Sequence, residues 1–134
     1  MISAVDSSVI LDVLTNDPHH AQASERLLRR AIQEGRLVAC ECVLAEIFPA
    51  IGNQRRVSEF LRDIQLEYDP MSREAALLAG QCYDRYLRRG GTAHHVLADF
   101  LIGAHARFQA DRLLARDRGY LRDYFTGLRL LQPA

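Results

Sequence analysis

Ile2-Ser3-Ala4-Val5-Asp6-Ser7-Ser8-Val9-Ile10-Leu11-Asp12-Val13-Leu14 decides the fold class. A short apolar run ends abruptly on an acid and two hydroxyls, which are natural helix caps, and Val9, Ile10, Val13 and Leu14 then recur at helical spacing. The stretch reads as strand, sharp turn, helix. The same alternation continues. A helix is expected over Ala21 to Gln33, with Leu27, Leu28, Ala31 and Ile32 as its apolar stripe, and Gly35 ends it before a strand at Leu37-Val38-Ala39. Helices through Val43 to Ile51 and Gln54 to Ile64 precede a strand at Leu66-Glu67-Tyr68, closed by Asp69-Pro70. Met71 to Arg88 is the longest helical pattern and stops at Gly90-Gly91; Leu97 to Gln109 is helical, and Arg112 to Ala115 and Leu128 to Leu131 read as strands. Short apolar strands alternating with amphipathic helices imply an α/β protein with a mostly parallel sheet covered on both faces. No internal repeat, linker or low-complexity tract interrupts it, so 1–134 is expected to be a single domain.

Composition narrows the chemistry. The 134 residues carry 17 basic and 17 acidic side chains, a formal balance of zero that argues against coating nucleic acid by bulk charge and leaves room for a local basic rim. Every basic residue other than histidine is arginine. A phosphate-binding P-loop, a Schiff base and a phosphoryl-transfer receiver all need a lysine, so none of these is expected. A haloacid-dehalogenase-type phosphatase would want a second aspartate two residues after Asp6, where Ser8 stands. Cys40, Cys42 and Cys82 make no disulfide framework and are expected as reduced, buried thiols. Cys40 and Cys42 with His94 and His95 lack the paired, wider spacing of structural zinc motifs. The early acids Asp6 and Asp12 fit neither a signal peptide nor a membrane span, so the expected setting is cytoplasmic.

Four acids stand out, each with an ordinary alternative. Asp6 and Asp117 both follow a strand, and ligands in parallel α/β sheets gather beyond the strands' carboxyl ends; alternatively Asp6 is a helix cap and Asp117 a turn residue. Asp99 opens the helix Leu97 to Ala106, which is apolar on nearly every face, so its charge needs the helix N-terminus, a basic group or a metal. Glu46 lies at the border of the stripe formed by Val43 and Ile47, able to reach a cleft or simply to face water. His105 in the apolar helix reads as a hydrogen-bonded core histidine.

Ala4-Val5-Asp6-Ser7-Ser8-Val9-Ile10-Leu11-Asp12, Leu44-Ala45-Glu46-Ile47, Ala98-Asp99-Phe100-Leu101-Ile102-Gly103-Ala104-His105-Ala106 and Arg116-Asp117-Arg118-Gly119-Tyr120, taken in order, resemble the PIN-domain ribonucleases, in particular the VapC-type toxins of toxin–antitoxin pairs. The resemblance spans essentially the whole chain. It implies a three-layer α/β/α fold around a five-stranded sheet, and a Mg²⁺ site, with Mn²⁺ as a substitute, that cuts RNA. Asp6, Asp99 and Asp117 would be the nearer metal contacts, with Glu46 completing the cluster. It further implies a homodimer and a VapB-like antitoxin that blocks the site. Hard divalent ions favour carboxylate oxygens, and a cluster of acids is tolerable chiefly beside such a cation. Ala115 stands where many relatives have Thr or Ser, leaving Ser7 or Ser8 to supply a hydroxyl near the metal, and His94-His95 replace basic residues common at that point. Arg112, Arg116 and Arg118, close to Asp117 in sequence, are candidate RNA contacts. The alternative is a catalytically silent PIN-like module that holds RNA or a protein.

Overall fold

The computed structural model describes residues 1–92, 96–116 and 119–134, with Tyr120 as backbone only. Its strands are β1 (Ile2–Val5), β2 (Arg36–Ala39), β3 (Leu66–Tyr68), β4 (Arg112–Leu114) and β5 (Leu130–Leu131). The helices are α1 (Ser7–Leu14), α2 (Ala21–Glu34), α3 (Glu41–Ile51), α4 (Gln54–Asp63), α5 (Arg73–Arg88), α6 (Val96–Gln109) and α7 (Tyr120–Tyr124).

All strand pairs are parallel, in the order β3-β2-β1-β4-β5. The mostly parallel expectation is therefore met by a fully parallel sheet. Consecutive strand residues face opposite sides of a sheet. In β1, β2 and β4 adjacent residues such as Ala4 and Val5, Val38 and Ala39, and Leu113 and Leu114 are all buried, so both faces carry helices and the architecture is three-layered. Near-continuous apolar strands are what double coverage demands.

The topology places the site. From β1 the chain builds outward through β2 to β3, then returns to add β4 on the other side of β1. The direction of winding thus reverses between β1 and β4, where a crevice opens beyond the carboxyl ends of the strands. Val5 is in register with Leu114, and the amide of Asp6 donates to the Leu114 carbonyl at 2.8 Å, so the ladder runs up to the first acid itself.

Two glycines are required by close approach. A Cβ on Gly35 would stand 1.9 Å from the Met1 carbonyl oxygen, against which β2 starts. A Cβ on Gly103 would meet Phe125 Cε2 at 2.5 Å and Leu121 Cδ2 at 2.9 Å, so the bare backbone of α6 is what lets α7 and its flanking residue lie against it.

Differences from the sequence expectation are local. Ser72 caps α5, its hydroxyl accepting from the Ala75 amide at 3.1 Å, so that helix starts at Arg73 rather than Met71. The last strand is only Leu130–Leu131, because the Leu128 amide is taken by the Phe125 carbonyl in a turn. The five-residue α7 is too short to show a period and was not expected.

Candidate active site

Asp6 is both a cap and a site residue. Its extended backbone ends β1, and its carboxylate accepts from the Ser8 amide at 3.3 Å and from the Ser8 hydroxyl, which satisfies the first turn of α1. The side chain remains only 7% exposed. Ser7, the next residue, points its hydroxyl at Glu46 Oε1, 2.9 Å away, and so ties the start of α1 to α3. Glu46 is exposed, as befits a residue at the edge of the stripe whose buried members are Val43 and Ile47. Asp99 lies in the first turn of α6, where the helix dipole favours an anion, and its Oδ2 is withdrawn from solvent.

Cys42, half-buried on the first turn of α3, reports how these acids are arranged. Its thiol is pushed up to about 12, first by burial and then by the negative charges of Glu46, Cys40, Asp6 and Asp99. A single thiol that feels Asp6, Glu46 and Asp99 together places carboxylates from α3, α6 and the end of β1 in one neighbourhood. Asp6 and Glu46 accept from hydroxyls and an amide, and neither has a basic partner among the described residues. All three are hard-oxygen donors of the kind a hard divalent cation takes, and two of them have no counter-charge, but their carboxylate oxygens do not all lie within 4.8 Å of one another. Asp117, Arg118, His94 and His95 lie outside the described residues.

The cysteines are free, with Cys40 and Cys82 buried. Burial also raises the Cys40 thiol, which works against the thiolate that zinc ligation needs.

Residues 4–124 match the family described as PIN domain. The chain belongs to the PIN-domain family. Solved structures agree on the fold. The crystal structure of VapBC2 from Rickettsia felis, bound to a promoter DNA fragment, aligns with a TM-score of 0.74 at 18% identity over 98% of both chains. VapBC-1 from nontypeable Haemophilus influenzae gives 0.72 at 17% identity over 98% of both chains. DNA-bound VapBC from Salmonella typhimurium gives 0.69 at 17% identity over 100% of this chain and 99% of the other. No curated protein matches the chain in sequence.

Arg112 corrects an expectation. It is 1% exposed, and its guanidinium donates to the Ser3 hydroxyl at 2.8 Å and to Glu34 at 3.0 Å. As the first residue of β4 it belongs to the opposite end of the sheet from Asp6, so it braces β1, β4 and the end of α2 and is unavailable to RNA. Nearness to Asp117 in sequence does not mean nearness to the carboxyl ends of the strands. Arg116, by contrast, does follow β4 at the crevice end, and its Nη2 donates to Asp12 Oδ1 at 2.9 Å.

That contact exposes a group in this PIN domain that sequence reasoning passed over. Asp12, on α1, is 3% exposed and also accepts from the buried Ser24 hydroxyl at 2.8 Å. Asp12, Asp17 and His20 bring ligand atoms within 4.8 Å of one another, and the Arg116 guanidinium, 3.4 Å from His20 Nδ1, already supplies a cation there. The arrangement is an ion-pair network behind the crevice. An acid one turn after Ser8, on the face of α1 that also buries Ser8, was the available signal. His105 meets the core expectation: it is buried, with Nε2 2.9 Å from Asp69 Oδ2.

Among the described residues no helix is long and apolar enough to cross a membrane.

Proposed function

We propose that this PIN domain, comprising residues 1–134, is a Mg²⁺-dependent endoribonuclease of the VapC toxin type, held inactive by a VapB-like antitoxin. The observation that carries the proposal is the shared neighbourhood of Asp6, Glu46 and Asp99 around Cys42, at the carboxyl end of the central strand. Asp6, Asp99 and Asp117 would hold the ion, and Glu46 would complete the acidic set. Bound there, Mg²⁺ or Mn²⁺ supplies Lewis acidity toward the phosphoryl group and activation of the attacking water. The chain's own contribution is positioning. Ser8 holds Asp6 through its amide and hydroxyl, Ser7 holds Glu46, and these bonds fix how the carboxylate oxygens face one another before any ligand arrives. No side chain need act as a nucleophile.

The structural likeness to VapBC assemblies supports an antitoxin partner. Phe48 on α3 and Leu77 and Leu87 on α5 are exposed, which supports the expected homodimer through the apolar faces of those helices.

Incubating the purified chain with a pool of cellular RNA, with and without Mg²⁺, tests the reading. Wild type should cut, and Asp6→Asn and chelated protein should lose at least about a hundredfold in rate, the scale of removing one metal contact. A metal-loaded chain that cuts nothing, or an Asp6→Asn variant that cuts equally well, sinks the proposal in favour of a silent binding module.

A further inference from the structure

Arg85, in the last turn of α5, and Arg89, which caps that helix, lie one turn apart, and both guanidinium carbons stand 5.3 Å from the centroid of the Tyr124 ring. Both side chains are exposed. Two features set them apart: the ring they share, and the absence of the carboxylate partner that four other helical arginines have. Arg29, Arg30, Arg55 and Arg88 each pair with a carboxylate one turn away, at 2.6, 2.9, 3.2 and 3.0 Å. Arg85 and Arg89 have no such counter-charge among the described residues, and Asp84, the nearest acid on their helix, is taken by Arg88. Arg85 instead points Nη2 at Cys82 Sγ, 3.4 Å away.

Two cations held on one ring repel each other, and the negative face of the tyrosine offsets only part of that repulsion. What the pair lacks is an anion. The ring that gathers them is itself fixed: Tyr124 packs edge-on at 5.0 Å against Phe100, which is fully buried and directly follows Asp99 on α6. Tyr86 of α5 also stacks on Phe100, edge-on at 5.8 Å. The two arginines are therefore hitched through one aromatic cluster to the helix start that carries an acid of the site.

We propose that Arg85 and Arg89, braced on Tyr124, bind a phosphodiester of single-stranded RNA beside the acidic cluster. The proposal rests on the ribonuclease reading and goes beyond it by naming where the strand is gripped. Guanidinium forks match phosphate oxygens bidentately, and stacking on a ring lowers the ordering cost of each contact. A grip of this kind reads backbone and leaves base sequence unread. It would also let a protein of zero net charge hold a polyanion through a local basic rim.

The test is binding of a fluorescein-labelled single-stranded oligoribonucleotide to the Asp6→Asn chain, followed by anisotropy across a salt series. Adding Arg85→Ala and Arg89→Ala should weaken binding about tenfold or more at 0.1 M salt and reduce the log–log salt slope by about 1.4, the contribution of two phosphates on a single strand. Arg29→Ala with Arg30→Ala removes the same charge from α2 and should leave affinity and slope within about twofold. Arg85→Lys with Arg89→Lys keeps charge and folding while losing the forks, and should recover the slope but only part of the affinity. If the alanine pair loses structure, as read by circular dichroism, the lysine pair carries the test. Unchanged RNA binding in both pairs overturns the proposal, as does an equal loss in the α2 control. Retained RNA binding with lost binding to an oligoglutamate peptide reassigns the pair to an acidic protein partner. If the parent chain binds no RNA and wild type cuts none, the ribonuclease reading fails as well; if the parent binds and wild type cuts, only the arginine assignment is at stake.

Discussion

Replacing Asp12 with alanine removes the hub of the network that ties α1 and α2 to the segment after β4. Asp12 is 3% exposed, so its carboxylate is dehydrated in the fold and relies on two donors, Ser24 at 2.8 Å and Arg116 at 2.9 Å. Alanine orphans both. Ser24 is fully buried and its hydroxyl loses an acceptor at a cost of about 1–3 kcal/mol. The Arg116 side chain is 35% exposed, so water recovers part of its loss, leaving about 1 kcal/mol. The sum is about 2–4 kcal/mol, and for a chain of this length, at about 2.1 cal/mol/K per residue, it lowers Tm by roughly 7–14 °C. Arg116→Ala should cost as much or more, about 3–5 kcal/mol, because it strands a buried carboxylate rather than a half-exposed guanidinium. With both residues changed to alanine, the loss should fall short of the sum of the single losses by at least about 1.5 kcal/mol. Urea denaturation of the four proteins measures the cycle. Additivity to within about 0.5 kcal/mol would refute the coupling, and with it the view that this cluster is an ion-pair network.

Gly103→Ala should destabilise by about 1–3 kcal/mol in the same assay, since its Cβ would enter the ring of Phe125 at 2.5 Å; a neutral result would mean that α7 is free to shift. The Glu34 carboxyl is held below its ordinary 4.5 chiefly by the hydrogen bond from Arg112, so its contribution to stability is full above that value and is lost as pH falls through the lower folded value. Melting temperature followed from pH 6 to pH 2.5 should therefore fall less steeply in Glu34→Gln than in wild type, and parallel curves would contradict the assignment. Cys42, with its thiol near 12, carries about one thiolate in ten thousand at pH 8, so iodoacetamide should alkylate it at least a hundredfold more slowly in the native than in the urea-unfolded chain, as read by peptide mass spectrometry. Equal rates would mean that the surrounding charge and burial are not those described.

Much of this was legible because local chemistry and global fold agree. The apolar run ending in Asp6-Ser7-Ser8 specifies strand and cap together, and both appear, with Ser8 on Asp6. Arg112 was misjudged because sequence distance says nothing about direction along a strand: a few residues in extended chain, at about 3.3 Å each, separate the two ends of a short sheet. Asp12 was missed because an acid in a helix is ordinarily solvated. What marks it as structural is Ser24 and Arg116, 12 and 104 residues away, a pairing that no local pattern reveals. The convergence of Asp6, Glu46 and Asp99 was likewise not readable from spacing. It depends on β1 standing at the centre of the sheet, with α1, α3 and α6 brought around its carboxyl end.

The central position of β1 also sets an order of events during synthesis. As the chain grows, β1 pairs with β2 after about thirty further residues, but its other edge stays open until β4, where Ser3 meets Arg112. At 5–20 residues per second, that edge waits about 5–20 s for its partner. Asp99 trails Asp6 by most of that interval, because α6 directly precedes β4. A nascent chain therefore cannot bring Asp6 and Asp99 together until α6 has been made, so topology alone delays the acidic cluster.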